Sequence, residues 1–391
     1  MKQTIFLLAY MNTNLGDDLF VETICKRYKD VKFVMNCSAE IWMKLKQLPN
    51  LSNINLWRTE TIIKKVFKSE KPFFRFVKKC ISYISAKKSI YIQKRCTAVV
   101  KIGGSIFMEK DVKGLKPLNL EKVPPLSGDC LSQNKSIPPY FIIGANIGPV
   151  YTNDFLHTVM EKLSLCESVV FRDKASYNLY RNFSNVRYAP DVIFQYQTEC
   201  SHECKEKKQI FFSIIAPEKK NLGFHEIDVQ NYYKKMAEIT QYYINMGYKV
   251  VMASFCKPEG DLEAISKVQE LLPVEAKMYT TVLSYEGKAK SVLAEMMQSE
   301  FLICCRFHSV VLSLLMGKPF FPISYGDKTR NLLSDLCYSG NWTTIDRWKD
   351  IPIMEIDSNR RKKTNINIEQ FIIGAQKQFE ALDSFLEKTK T

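Results

Sequence analysis

The sequence contains no apolar run approaching the roughly 20 residues a membrane-crossing helix needs, which excludes a helical membrane span. Its opening apolar stretch, Ile5-Phe6-Leu7-Leu8-Ala9, is too short to span and lacks a small-residue cleavage site. It reads as a buried first strand, and the expected location is cytoplasmic. Glycine and proline are modest at 15 each in 391 residues, which excludes collagen-like and low-complexity chains. Histidine is scarce, with only four residues, so each placement carries weight. The twelve cysteines show no disulfide spacing: Cys25, Cys166, Cys304 and Cys305 sit inside apolar segments, where a free thiol packs as a small hydrophobe. Cys200, His202 and Cys204 form one ligand-like cluster, but a structural zinc site needs a second pair. Reduced thiols in a surface loop, with no metal and no cofactor, are the expectation.

What remains is a composition suited to folding, 46% hydrophobic and 25% charged, in a chain longer than one core usually serves. Apolar runs alternate with amphipathic stretches. Strands are expected at Ile5–Ala9, Val31–Met35, Ala98–Ile102, Tyr140–Ile143 and Val169–Phe171, most of them followed closely by Gly, Asn or Asp. A polar stretch, Gln197–Lys208, interrupts the rhythm. A second series follows, with strands at Ile210–Ile215, Lys249–Ser254, Phe301–Cys304 and Pro319–Ile323 and helices between them. Continuous apolar strands separated by helices indicate parallel sheets covered on both faces. The expected fold class is α/β, with two Rossmann-like domains facing a central cleft. The boundaries are 1–196 for the N-terminal α/β domain on the acceptor side and 197–208 for a linker. Residues 209–350 form the C-terminal α/β domain on the donor side, and 351–391 a tail carrying one long amphipathic helix from Ile368 to about Glu387.

Charge is uneven. Residues 61–96 hold eleven Lys or Arg against the single acid Glu70, a net +10 of the chain's +15. Starting a helix at Pro72 places Phe73, Val77, Ile81 and Ile84 on one face, with Lys71, Arg75, Lys78 and Lys79 largely away from it. Such a segment suits an anionic membrane surface, and it equally suits packing on its own domain. Nucleic acid is disfavoured, because no recognition module accompanies the charge.

Four segments lie at strand-to-helix junctions, where open α/β sheets bind ligands. The first is Asn12-Thr13-Asn14-Leu15-Gly16-Asp17-Asp18. There Gly16 lets backbone approach a ligand, and Asp17 either caps the helix or faces the site. The second is Gly103-Gly104-Ser105, a tight turn. The third ends a strand on Arg172, beside the acid Asp173. The fourth is Cys304-Cys305-Arg306-Phe307-His308-Ser309, with Arg306 leaving the strand and His308 and Ser309 in the first turn of the next helix. A helix start offers free amides and a positive dipole end, Arg adds a fork of donors, and His can pass a proton near neutral pH. Lys328, after the next strand, adds another cation.

Together these segments resemble the polysaccharide pyruvyl transferase family. The resemblance rests on Asn14-Leu15-Gly16-Asp17, Gly103-Gly104-Ser105, Gly144-Ala145-Asn146-Ile147-Gly148-Pro149, Phe171-Arg172-Asp173 with Ser176, and Ala189-Pro190-Asp191. It continues with Arg306-Phe307-His308-Ser309, Gly317-Lys318-Pro319 and Tyr325-Gly326-Asp327-Lys328, in family order from about residue 5 to 340. Ser105 stands where the family sometimes has a third glycine. The resemblance implies a GT-B-like fold, phosphoenolpyruvate as donor, and as acceptor a sugar of a surface or capsular polysaccharide or its lipid-diphosphate-linked precursor. Galactose bridged as a 4,6-ketal is the acceptor it favours. It implies that Arg172, Arg306 and His308 carry donor binding and catalysis. The residues themselves add Ser309 and Lys328 to the expected donor site, with His308 the expected general acid and Asp17 the expected base. Asn14, Gly16, Gly103, Gly104, Ser105 and Asn146 then belong to the acceptor side or the loops. A lipid-linked acceptor would give segment 61–96 a purpose at the inner face of the membrane. Two other readings are a GT-B nucleotide-sugar glycosyltransferase and a non-enzymatic module that binds anionic surfaces through 61–96.

Overall fold

The computed structural model describes residues 3–10, 12–54, 84, 86–109, 138–197, 205–220, 223–362 and 366–390. The chain divides into two compact units: Met1–Met11 with Phe20–Val192 and Gln376–Thr391, and Asn12–Leu19 with Ile193–Ala375.

The first unit is built on a seven-stranded parallel sheet. Its strands are β1 (Thr4–Leu8), β2 (Lys32–Met35), β3 (Leu51–Asn53), β4 (Ala98–Ile102), β5 (Tyr140–Ala145), β6 (Ser168–Phe171) and β7 (Val186–Tyr188), in the order β3-β2-β1-β4-β5-β6-β7. Ile5 on β1 pairs with Phe33 on one side and Ala98 on the other. Every residue of β5 is buried, as expected of a parallel strand covered on both faces.

The second unit repeats the plan with β8 (Lys207–Ser213), β9 (Lys249–Ser254), β10 (Thr280–Ser284), β11 (Ser299–Cys304), β12 (Phe320–Ser324) and β13 (Thr343–Thr344), in the order β10-β9-β8-β11-β12-β13. The long helix Glu226–Asn245 buries Tyr232, Met236, Ile239 and Tyr243 in a core shared with β8, β9 and β11. In both sheets the strand order reverses beside the first strand, between β1 and β4 and between β8 and β11. Such switch points are where doubly wound sheets bind ligands.

Three expectations are revised. Asn12–Leu19 groups with the second unit, whereas the sequence boundaries put it in the first domain. Strand β8 begins at Lys207, inside the expected linker, because Lys207 pairs in register with Ser299 at the exposed end of an otherwise buried strand. The tail is not one helix but two, Ile368–Ala375 and Glu380–Lys388, separated by a 3-10 turn at Gln376–Gln378. The cause is the Gln378 side chain, which is drawn into the first unit. There its Oε1 accepts from Gly144 N at 2.8 Å, and its Nε2 donates to Ala189 O at 2.9 Å and Pro190 O at 3.0 Å. The helix after it is held by Asp383, which accepts from Arg27 and Tyr28, and by Phe385 against Phe141. Most of segment 61–96 and the cluster Cys200, His202 and Cys204 lie outside the described residues.

Replacing Gln378 with Leu leaves one amide and two carbonyls without this partner. We expect a loss of about 1–3 kcal/mol in urea unfolding; an unchanged midpoint would show that the glutamine does not hold the tail.

Candidate active site

The candidate residues fall into two groups, one in each unit. In the second unit the organising element is the end of β11 and the start of helix Phe307–Leu315. Ser213, closing β8 on the other side of the switch point, accepts through Oγ from the amides of Cys305 at 3.0 Å and Arg306 at 3.2 Å, and lies 2.7 Å from Ser309 Oγ. Ser309 Oγ also donates to Arg306 O at 2.6 Å. Ser309 is thereby a fully buried brace of this turn.

Arg306 leaves the strand into a nest of carboxylates. Its Nε donates to Asp261 Oδ2 at 3.1 Å, its Nη2 to Asp261 Oδ1, and its Nη1 to Glu259 Oε2 at 2.6 Å. Asp261, completely buried, also accepts from the amides of Phe255 at 3.0 Å and Cys256 at 2.9 Å. Burial disfavours the charged guanidinium, but Asp261 and Glu259 more than offset it and hold it firmly protonated. Burial would likewise raise Glu259, yet Arg306 and Lys220 hold its carboxyl well below the usual carboxylate range. Lys220, whose side chain is 8% exposed, bonds Glu259 and sits 5.5 Å from the centre of the Tyr325 ring. Lys328 Nζ lies 5.0 Å from the same centre.

The segment Asn12–Leu19 completes this group. Leu15 N donates to Phe255 O at 3.1 Å, Asn14 Oδ1 accepts from Gly16 N at 3.1 Å, and the buried Tyr285 hydroxyl donates to Asp18 Oδ2 at 2.6 Å. Gly16 lies directly against His308: a Cβ built on it would stand 1.7 Å from the imidazole Nδ1. A side chain at position 16 would push the His308 ring out of this place. Thr13, just before it, has a φ of 35°, a left-handed conformation a branched residue adopts only when its surroundings enforce it. Asp17 is half-buried in the first turn of helix Leu15–Arg27.

The other group lies in the first unit. Arg172, at the end of β6, donates from Nη1 to Asp191 at 3.0 Å and from Nη2 to Asn146 at 2.7 Å, all buried. Its guanidinium lies flat against Gly104, where an added Cβ would meet Cζ at 2.3 Å. Gly104 O accepts from the amides of Asn146 and Ile106, both at 2.7 Å. The turn Gly103-Gly104-Ser105 is therefore built around the arginine, with Ser105 exposed at its edge. Asp173, expected as the arginine's neighbour, caps helix Lys174–Tyr180 by accepting from Ser176 N at 2.8 Å. Asp191, of Ala189-Pro190-Asp191, forms an ion pair with Arg172.

Sequence reasoning placed Arg306 and His308 together and missed Ser213, Lys220, Glu259 and Asp261. The signal for the acids was present, since Pro258-Glu259-Gly260-Asp261 follows the end of β9 as Arg306 follows β11.

The fold matches solved structures along nearly the whole chain. A UDP-GlcNAc 2-epimerase of Methanocaldococcus jannaschii in complex with UDP-GlcNAc and UDP aligns with TM-score 0.60 at 11% identity, covering 96% of this chain and 98% of that one. A putative UDP-N-acetylglucosamine 2-epimerase from Listeria monocytogenes gives 0.58 at 9%, over 99% and 97%. Anabaena HepE in complex with UDP and glucose gives 0.53 at 12%, over 100% and 99%. The two units are thus the parallel α/β domains of the GT-B class. No curated protein matches the chain. Residues 14–327, which contain Arg172, Arg306 and His308, match the polysaccharide pyruvyl transferase family, and the chain belongs to that family.

Removing Asp261 leaves a buried arginine with half its compensation. Asp261→Ala is expected to cost about 3 kcal/mol or more in denaturant unfolding, and a loss under about 1 kcal/mol would show the pair to be peripheral to stability.

Proposed function

We propose that the protein transfers the enolpyruvyl group of phosphoenolpyruvate to a sugar of a surface polysaccharide or its lipid-linked precursor, forming a ketal and releasing phosphate. The observation that supports this reading is the cation group of the second unit: Arg306, Lys220 and Lys328 near a helix start that carries His308. Phosphoenolpyruvate brings a carboxylate and a phosphate, and this set offers charge and directed donors for both. Most of the Arg306 donors are committed to Asp261 and Glu259, so its charge is fixed in place before substrate arrives. Preorganised charge of this kind stabilises a developing anion without rearrangement. Lys328 supplies a further contact, and His308, seated on Gly16, delivers the proton that converts the methylene to a methyl group. In the first unit Arg172 shapes the Gly103-Gly104 turn and holds Asn146. The acceptor is proposed as galactose bridged through its 4- and 6-hydroxyls.

Phosphate release from phosphoenolpyruvate should depend on an added galactoside or lipid-linked galactose. It should fall by about 100-fold or more in His308→Ala while the variant keeps its unfolding midpoint. A folded, active His308→Ala sinks the assignment. Binding of a nucleotide sugar without binding of phosphoenolpyruvate would give the site to glycosyl transfer.

The acceptor's lipid linkage would suit a peripheral position at the inner face of the membrane. Among the described residues no helix is long and apolar enough to cross one. Ile84, from the apolar stripe of the basic segment, is 63% exposed, and Tyr91 nearby is exposed as well. Flotation with anionic vesicles should weaken when Lys71, Arg75, Lys78 and Lys79 are neutralised and in raised salt; equal flotation of both proteins would refute this attachment.

A further inference from the structure

We propose that Tyr325, seated between Lys220 and Lys328 beyond the end of β12, is the group that takes the proton from the attacking acceptor hydroxyl. The assignment rests on the pyruvyl transfer reading and supplies the base that reaction requires.

Three neighbouring strands converge on this point. Lys220 comes from the segment after β8, Arg306 and His308 follow β11, and Tyr325 is the first residue after β12. The turn that carries the tyrosine is fixed, because Ser324 Oγ donates to Gly326 O at 2.8 Å. Lys328 returns from the first turn of helix Asp327–Asp335 to lie over the ring on which Lys220 also rests. Tyr325 is half-buried, accessible yet shielded.

The charges around it decide its chemistry. Lys220, Lys328 and Arg306 all act on the phenol, while the acids of the same cluster are engaged: Asp261 by Arg306, and Glu259 by both Arg306 and Lys220. A phenol so placed can accept a negative charge that its neighbours welcome. Burial pushes its titration up, and Lys328, Lys220 and Arg306 together bring it down further, to below that of an ordinary tyrosine. Asp17 is the competing base, and Asp18 beside it is bonded to Tyr285.

The step balances. The hydroxyl proton passes to the Tyr325 phenolate as the hydroxyl oxygen bonds the central carbon of phosphoenolpyruvate. The electron pair of the carbon–carbon double bond takes a proton from His308 and completes the methyl group. Phosphate then departs with the carbon–oxygen bonding pair. The second hydroxyl bonds the same carbon and gives its proton to phosphate, after which Tyr325 loses its proton to solvent and His308 regains one.

Because the step needs the Tyr325 phenolate together with a protonated His308, kcat should be bell-shaped in pH, with the tyrosine's titration setting one limb. Lys220→Met removes a cation, favours the protonated phenol, and should move that limb upward by about 1 pH unit or more. Tyr325→Phe should lower kcat by about 100-fold or more and remove that limb, with phosphoenolpyruvate affinity and unfolding midpoint unchanged. Tyrosinate absorbance, titrated in wild type minus Tyr325→Phe, should show one tyrosine ionising below the rest, and this readout needs no substrate. Wild-type kcat in Tyr325→Phe, or loss of that limb of the kcat profile in Asp17→Asn with its retention in Tyr325→Phe, overturns the proposal. So does a difference titration without an early tyrosine. If wild type releases no phosphate from phosphoenolpyruvate with any acceptor while the early tyrosine is present, it is the transfer reading that fails.

Discussion

The ionic contact between Arg306 and Asp261 is what the second unit is arranged around. A guanidinium at the buried end of a parallel strand is tolerable only when its charge is met at close range. Meeting it takes a carboxylate from the neighbouring crossover, at the head of helix Asp261–Glu270. That carboxylate in turn ties down the amides of Phe255 and Cys256, and Phe255 O receives the amide of Leu15. One charge pair thus fixes the exit of β9, the exit of β11 and the turn that brings Gly16 against His308. Glu259 extends the arrangement to Lys220 and so to Tyr325. The sequence motifs Asn14-Leu15-Gly16-Asp17, Arg306-Phe307-His308-Ser309 and Tyr325-Gly326-Asp327-Lys328, far apart in the chain, become parts of one electrostatic assembly.

The first unit solves a similar problem on a smaller scale. Arg172 is closed off by Asp191 and Asn146 and roofed by Gly104, so its charge is spent within the protein. The two arginines therefore differ in kind. Arg306 stands in a cluster that holds further cations beside it, whereas Arg172 organises a turn.

Much of this could be read from the residues alone. The apolar runs at Ile5, Ala98, Tyr140, Ile210, Lys249 and Phe301 marked parallel strands because burial on both faces leaves little room for polar side chains. Arg306 and His308 were legible because a strand end followed by a helix start is a local pattern. Partners supplied by other crossovers were not. Nothing within a few residues of Arg306 announces Asp261, and nothing near His308 announces Gly16. Helical periodicity from Ile368 onward was real, but it does not register that one glutamine has a better set of bonds waiting at Gly144, Ala189 and Pro190. Short strands such as β3, β7 and β13 were also missed, since three residues or fewer give no period to detect.

The bond between Gln378 and Gly144 joins residues 234 positions apart. On the ribosome, the first sheet can have all seven strands made while the Gly144 amide still waits for its partner, because Gln378 has not been made. The intervening residues of the second unit, Ile193–Ala375, emerge as one continuous stretch during that wait. The order of synthesis therefore runs against the order of the sheets in the sequence: the unit begun first is the one finished last.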